Sequence, residues 1–298
     1  MSTGTRGPGA CRSYLLLDAP PPEDTAIDSP MTSPVPGGTV ELTWLGQSGF
    51  LLRFPSTNVL VDPFLSERGE RLVRAPSLES LGSIDIVAAT HEHWDHLDLP
   101  AIVRLLELHP RMLIVVPRPI VDQVLDAGVA SERIRGVQPD EVVVHRELRI
   151  SSVPARHGVH VSDAYNFGTE LSDGKVRYLG YVLSEEGVVV YHAGDTILYD
   201  DQASHLANHG VQIALLPING RDAEREAVDI VGNLSPGDVS SLAAQAHIPM
   251  VVPMHYDMFA GNPGNPGELV TAVARAAPTT AVLVPAHRKP VVVTATSA

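Results

Sequence analysis

The sequence is poor in cysteine and has no long apolar run. Its 298 residues include one cysteine, Cys11, so no disulfide can form within the chain, which fits a reducing compartment. The apolar run at residues 15–17 is far too short for a signal-peptide core, and no other run approaches the length of a membrane span. These absences predict a cytoplasmic protein with no membrane partner.

The sequence is also poor in lysine. Only Lys175 and Lys289 are lysines among its 21 basic residues, and the formal net charge is −14 with histidine neutral. Such a chain repels the phosphate backbone of DNA or RNA unless basic residues cluster locally, and the sequence shows no such cluster. We therefore expect a small-molecule substrate and no nucleic acid partner. The sequence leaves open whether the chain forms a homo-oligomer.

A change in composition divides the chain near residue 38. Residues 1–37 are rich in Pro, Gly, Ser and Thr, which is typical of a flexible tail. Residues 38–298 carry alternating and apolar segments that predict the strands and helices of a single domain. Its halves, roughly 39–160 and 175–295, each show strands followed by strand–helix alternation. This pattern predicts two sheets packed face to face with helices outside.

The most informative segment is the loop from Thr90 to Asp98, which follows the apolar run of residues 84–89. His91 and His93 lie two residues apart and project to the same side of an extended loop, so both can bind one cation. Asp95 and His96 can then reach a second cation. Imidazole and carboxylate groups suit Zn²⁺, Mn²⁺ or Fe²⁺, and the lack of nearby cysteine argues against a closed structural zinc site. Four potential ligands in six residues favour a metal site over a solvated loop.

Other predicted strands also end in potential ligands. His157 follows a strand and is the predicted third ligand of the first cation, with His160 as its local alternative. Asp195 follows another strand directly after a glycine, where its carboxylate could bridge two cations. His255 ends a later strand. Because strand ends meet at one edge of an α/β fold, these residues are expected to converge.

Neighbouring polar and aromatic residues favour structural roles. Asp62 follows a predicted strand and is more typical of a turn cap than of a metal ligand. His192 would point away from the site if its strand continues. Trp94, inside the metal loop, is expected to pack and to fix the loop conformation.

Taken together, these motifs resemble the metallo-β-lactamase superfamily. The His-x-His-x-Asp-His loop, the later histidine, the Gly-Asp-Thr segment at 194–196 and the terminal histidine occur in the order found there. Several blocks look like the L-ascorbate-6-phosphate lactonase-like branch: Thr-His-Glu-His-Trp-Asp-His-Leu-Asp, Tyr-His-Ala-Gly-Asp-Thr, Leu-Pro-Ile-Asn-Gly-Arg-Asp and Pro-Met-His-Tyr-Asp-Met-Phe. The resemblance spans about residues 40–290. It implies an α/β (α+β) fold, a four-layer αββα sandwich.

The resemblance also implies a dinuclear centre that binds zinc or manganese. In that scheme one metal is held by His91, His93 and His157, the other by Asp95, His96 and His255, and Asp195 bridges them. A hydroxide bridging the metals would hydrolyse a lactone or another ester or amide. Asp95 and Asp195 are therefore the predicted catalytic residues.

The predicted substrate contacts are Asn219, Arg221 and Tyr256. A sugar-phosphate substrate would need a cation near the metals, and Arg221 is favoured over Arg156, Arg177 and Arg225 because it follows a strand end beside Asn219. A surface ion pair of Arg221 is the alternative. Tyr256 directly follows a ligand and could aid a leaving group, although adjacent strand residues tend to face opposite ways.

Three other functions fit parts of the pattern. A phosphodiesterase or nuclease on the same fold would need a basic surface, which the net charge of −14 disfavours. A mono-iron oxygenase would not require a second complete site, whereas His96 and His255 are both present. A catalytically silent metal-binding protein would be indicated by the loss of a ligand, but every expected ligand position is filled.

Overall fold

The computed structural model describes residues 34–67, 71–158, 175–227 and 230–295. Of the predicted tail, only residues 34–37 fall within these ranges, and His160 lies outside them. Within the described residues, no helix combines the length and the apolar composition of a membrane-spanning segment.

The first sheet contains seven strands among the described residues. They are β1 (Thr39–Gly46), β2 (Gly49–Arg53), β3 (Asn58–Val61), β4 (Ile86–Ala88), β5 (Leu113–Pro117), β6 (Ile134–Val137) and, from the other end of the domain, β14 (Val291–Thr294). Their order across the sheet is β14-β1-β2-β3-β4-β5-β6. Strands β14, β1, β2 and β3 pair antiparallel, whereas β3, β4, β5 and β6 are parallel.

The second sheet has the same plan, again with seven strands in the described part of the chain. They are β7 (Val142–His145), β8 (Leu148–Pro154), β9 (Leu179–Glu185), β10 (Val188–His192), β11 (Ile213–Pro217), β12 (Met250–Met254) and β13 (Ala281–Val282). Their order is β13-β12-β11-β10-β9-β8-β7. Strands β7 to β10 pair antiparallel and β10 to β13 are parallel.

Six α-helices accompany the sheets in the described ranges. They are α1 (Leu99–Leu108), α2 (Val121–Asp126), α3 (Gln202–Asn208), α4 (Ala223–Glu226), α5 (Pro236–Gln245) and α6 (Pro266–Ala276). Short 3₁₀ helices lie at Leu78–Leu81, Arg118–Ile120 and Ser131–Arg133. Helix α5 begins with a capping box, in which Ser235 and Asp238 satisfy each other's backbone N–H groups.

The alternation of side chains along the strands builds the layers. In β2, Phe50 and Leu52 join the core that includes the second sheet, whereas Leu51 joins a separate core with Ile102 and Leu105 of α1. Successive strand residues point to opposite faces, so the first sheet is covered by the second sheet on one side and by helices on the other. The predicted αββα arrangement is confirmed.

The predicted division into halves at residues 160 and 175 is wrong. Strands β7 and β8 already belong to the second sheet, and β14 returns to the first. The error arose because the alternating pattern of a strand does not show which of two sheets the strand belongs to. The deciding partners, β9 for β8 and β1 for β14, are separated from these strands by other segments of the chain.

Candidate metal centre

The histidine-rich loop is fixed at both ends. It leaves β4, where Ala89 N–H donates to the Val115 carbonyl, and it enters α1 at Asp98, whose carboxylate accepts from Ala101 N–H. Asp98 also accepts hydrogen bonds from Leu65 N–H, at 2.8 Å, and from Ser66. The loop is therefore held between a buried strand and a capped helix.

Loops of the second sheet meet this loop. His157 follows β8, Asp195 follows β10 and His255 follows β12. Gly194 has φ +60°, and a Cβ there would lie 2.6 Å from Thr90 Oγ1, so only glycine allows Asp195 to approach the loop this closely. The site thus joins strand ends of both sheets.

The seven predicted metal ligands form two groups. The first group is His91, His93, His157 and Asp195, and the second group is Asp95, His96 and His255; within each group the ligand atoms all lie within 4.8 Å of one another.

Asp195 reaches both groups. Its Oδ2 lies 3.4 Å from His157 Nε2 and 3.2 Å from His255 Nε2, and its Oδ1 lies 3.3 Å from His96 Nε2. Asp95 Oδ2 lies 3.7 Å from His96 Nε2 and 3.8 Å from His255 Nε2. A carboxylate between two groups of ligand atoms is the arrangement that a bridging ligand requires.

Asp62 orients two of the imidazoles. Its buried carboxylate accepts hydrogen bonds from Thr90 N–H and Thr90 Oγ1, both at 2.7 Å, and its Oδ2 lies 2.7 Å from His96 Nδ1. Because the Thr90 hydroxyl gives its only hydrogen to Asp62, it must accept from His91 Nδ1, 3.0 Å away. Both histidines therefore carry hydrogen on Nδ1 and turn Nε2 towards the cluster.

Burial and mutual charge set the protonation states. Burial lowers the pKa of His93 to about 3. Burial opposes ionisation of Asp195, but the imidazoles around it, first that of His255, hold its pKa well below the ordinary value. Burial also opposes charge on His96 and His255, yet Asp195 above all raises the pKa of both. The carboxylates thus stay ionised and attract positive charge into the cluster.

The residues fit a divalent metal. Imidazole nitrogens and carboxylate oxygens are the usual ligands of Zn²⁺ and Mn²⁺. His91 Nε2 is buried and has no hydrogen-bond partner within the described residues. Such an orphaned lone pair is costly in a buried position unless a cation binds it.

A pocket of about 880 Å³ opens over the cluster. Part of its wall is apolar and includes Trp94, Val231 and Phe259, with the rings of Trp94 and Phe259 5.6 Å apart. Another part is polar and is formed by a hydrogen-bonded network of four residues: Asn219, Arg225, Asn233 and Asn262. A small molecule that reaches the ligands can therefore contact both apolar and polar groups.

The three predicted substrate residues lie in three different environments in the structure. Asn219 lines the pocket and donates to Asn262 Oδ1 at 2.7 Å. Arg221 instead forms an ion pair with Glu226, which is the type of contact given above as the alternative to a substrate-binding role. Tyr256 packs on Trp44, with ring centroids 5.1 Å apart, rather than lining the pocket. Helix α4 turns the chain after β11, so Arg225 rather than Arg221 faces the pocket.

His192 lies beside the cluster and makes backbone contacts. Its Nε2 donates to the Ser48 carbonyl at 2.7 Å, and its Nδ1 accepts from Gly194 N–H at 3.2 Å. It therefore supports the Gly194 turn. Trp94 packs on Phe64, with ring centroids 5.1 Å apart, and also lines the pocket.

Two residues at the site were not predicted to act there. Asp62 orients His96, and Gln47 Nε2 donates to Asp95 Oδ2 at 2.7 Å. Their positions could have indicated these roles, because Asp62 follows β3 and Gln47 lies in the β1–β2 turn, which is at the same edge of the sheet.

The fold and the ligand set define a class of metalloprotein. A family model described as a beta-lactamase superfamily domain matches residues 57–256. The chain belongs to this superfamily, as the motif order predicted.

Individual relatives place the chain among metal-dependent hydrolases. A UPF0173 metal-dependent hydrolase of Rubrobacter xylanophilus is 30% identical over 242 residues, which are 78% of this chain and 87% of that protein. Two solved structures share the fold at a TM-score of 0.67. Igni18, a metallo hydrolase from Ignicoccus hospitalis, is 23% identical and covers 86% of this chain and 98% of its own. An isothiocyanate hydrolase from Delia radicum gut bacteria is 21% identical and covers 84% of this chain and 98% of its own.

Proposed function

We propose that this chain is a dinuclear hydrolase that opens a small lactone or cleaves an ester or amide bond, with zinc or manganese as the metal. The observation that carries the proposal is the position of Asp195, whose two oxygens lie 3.2–3.4 Å from imidazole nitrogens of both ligand groups. His91, His93 and His157 would hold one ion, Asp95, His96 and His255 the other, and Asp195 would bridge.

The chemistry follows from the carboxylates and the pocket. Two divalent ions, when bound, make hydroxide available from water near neutral pH and polarise a carbonyl oxygen. Asp95 lines the pocket and lies beside both His96 and His255, so its carboxylate can orient the attacking oxygen and accept a proton from it. The buried ligand shell keeps these groups in place before substrate arrives.

The arginines near the site favour an uncharged substrate. Arg177 forms an ion pair with buried Glu92 at 2.6 Å, and Arg221 pairs with Glu226. Arg225 lines the pocket, but its guanidinium is engaged by Asp222, by Asn262 and by two backbone carbonyls. A phosphate would have to displace these partners, whereas the apolar wall suits a hydrocarbon substituent. A neutral lactone or ester therefore fits better than a phosphorylated sugar.

The test combines metal content with activity. We expect protein purified without added metal to contain zinc or manganese and, after dialysis against an excess of that metal, to reach about two ions per chain by elemental mass spectrometry, whereas the His255→Ala variant should reach about one. A panel of neutral lactones, aryl esters, a phosphodiester and an alkyl isothiocyanate should show turnover of a lactone or ester that is lost in the variant. The exposed His247→Ala variant is the matched control and should retain both metal and activity.

Other outcomes would favour the alternatives. Turnover of the phosphodiester alone would indicate a phosphodiesterase. One iron per chain that is unchanged in His255→Ala would overturn the dinuclear hydrolase and favour an oxygenase. A folded protein that takes up no metal would leave only a binding role.

A further inference from the structure

The side chain of Gln47 lies against the second group of ligands. Its Nε2 donates to Asp95 Oδ2 at 2.7 Å and lies 2.9 Å from His255 Nε2. An ionised carboxylate only accepts hydrogen bonds, so the amide group facing Asp95 must be the NH₂ end and not the carbonyl oxygen. A hydrogen-bond donor therefore faces two atoms that would otherwise face a cation.

The backbone around Gln47 is built to hold it there. Gln47 has φ +54°, a conformation that a residue with a side chain adopts at a cost. Its N–H donates to Asp257 Oδ1 at 3.0 Å, and its carbonyl accepts from Trp44 Nε1 and from His255 N–H, both at 3.0 Å. Three hydrogen bonds thus fix the backbone of one buried residue in an unfavourable conformation.

The groups that hold Gln47 are themselves held. Asp257 Oδ2 lies 2.6 Å from His287 Nε2, and the His287 ring stacks on Trp44 with centroids 4.2 Å apart. The backbone of Gln47 is therefore part of a fixed assembly, and the side-chain amide can leave Asp95 only by breaking its own contacts with Asp95 and His255.

The contact with Gln47 distinguishes the second group. Each group contains a buried imidazole nitrogen with no hydrogen-bond partner within the described residues, His91 Nε2 in the first group and His96 Nε2 in the second. In the second group, however, Asp95 Oδ2 already accepts from Gln47. The amide hydrogens and a cation would compete for the same carboxylate oxygen, because both are attracted by its negative charge.

We propose that Gln47 weakens cation binding at the second group, so that the chain binds one divalent ion tightly and a second ion weakly. This inference rests on the two-ion centre of the proposed function. It makes Gln47 a residue that sets the occupancy of the second position.

The experiment is a zinc titration of metal-free protein by calorimetry, with a competing chelator for the tight step. Wild type should show a tight and a weak binding event. In Gln47→Ala the dissociation constant of the second event should fall about tenfold or more, because a hydrogen bond to a charged group no longer has to be broken. Gln47→Asn keeps a residue type that tolerates the left-handed backbone but withdraws its amide, and it should behave likewise.

Gln212→Ala is the matched control. Gln212 accepts from Val189 N–H, at the start of β11 and far along the strand from the ligand loops. This variant should bind zinc as wild type does, and the tight event should be the same in all four proteins, which also shows that each one is folded.

A second event that is unchanged or weaker in both Gln47 variants would overturn the inference while leaving the two-ion centre standing. A single event in wild type and in both variants would overturn the inference and the two-ion centre together.

Discussion

At the scale of single residues, Asp62 decides how two imidazoles face the metal centre. In Asp62→Asn, the side chain keeps its shape but must present an NH₂ group to donors. That group faces either the Thr90 hydroxyl and His96 Nδ1, which both donate to Asp62 Oδ2, or Thr90 N–H, which donates to Oδ1. We expect the tightest zinc dissociation constant to rise roughly 10–100-fold, as is usual when the partner of a ligating histidine is changed. Competition with a coloured chelator measures this constant.

Asp85→Asn is the control for Asp62→Asn. Asp85 accepts from Asn58 N–H at 2.9 Å and pairs with Arg146, at the start of β4 and away from the ligand loop. Zinc affinity should be unchanged in this variant. Equal affinity in Asp62→Asn and wild type would show that Thr90 alone orients His91 and that His96 needs no partner.

The candidate metal ligands were predictable from the sequence because they lie in loops that follow strands, and strand ends converge in this kind of fold. Asp62 and Gln47 were not, because their roles depend on contacts with His96 and His255, which lie 34 and 208 residues away. Arg221 was favoured for its position after β11. The direction of the chain after that strand depends on α4, whose four residues give no clear pattern.

At the scale of elements, a buried ion pair links β1 and β2. Glu41 and Arg53 are directly opposite on these antiparallel strands, with Arg53 Nε 3.4 Å from the Glu41 carboxylate. Burial raises the pKa of Glu41 above its ordinary value of 4.5, although Arg53 opposes the change. Between pH 4.5 and this raised pKa, Glu41 is therefore protonated more often in the folded protein than in the unfolded chain.

This difference gives stability a defined pH dependence. The contribution of Glu41 to the free energy of unfolding is fully favourable below pH 4.5 and is lost as the pH rises through the raised pKa. Glu41→Gln, which cannot ionise, should gain stability relative to wild type over that pH range. Urea unfolding at several pH values measures the difference, with Glu79→Gln at an exposed position as control. A difference that does not vary with pH would contradict the prediction.

Regular elements with strong patterns were predicted within a few residues. The apolar run of residues 84–89 contains β4, and the amphipathic pattern of residues 99–109 predicts a helix that the structure places at Leu99–Leu108. Helices α3 and α4 have seven and four residues and were not predicted. Such short helices depend on tertiary packing, which periodicity does not show.

At the scale of the whole molecule, the candidate metal centre contains residues from loops of both sheets. The histidine-rich loop follows β4 of the first sheet, whereas His157, Asp195 and His255 follow strands of the second. A bound ion would therefore cross-link the layers of the sandwich. Free zinc at about 100 times its dissociation constant should raise the free energy of unfolding by about 2.7 kcal/mol, or several degrees in Tm.

Thermal unfolding with zinc and with a chelator tests this coupling. The variant His91→Ala should show a smaller difference between the two conditions, because it lacks a ligand from the first sheet. If zinc shifts the Tm of His91→Ala and wild type equally, the ion stabilises the protein at some other place.

The pairing of β14 with β1 brings the first and last strands of the described domain side by side. Thr39, the first residue of β1, lies directly opposite Thr294, the last residue of β14. A short glycine-rich linker could therefore join these two positions, and the chain could be reopened at the turn between β7 and β8. Such a circular permutant should retain both sheets and the ligand loops, since the new connection crosses only one strand spacing.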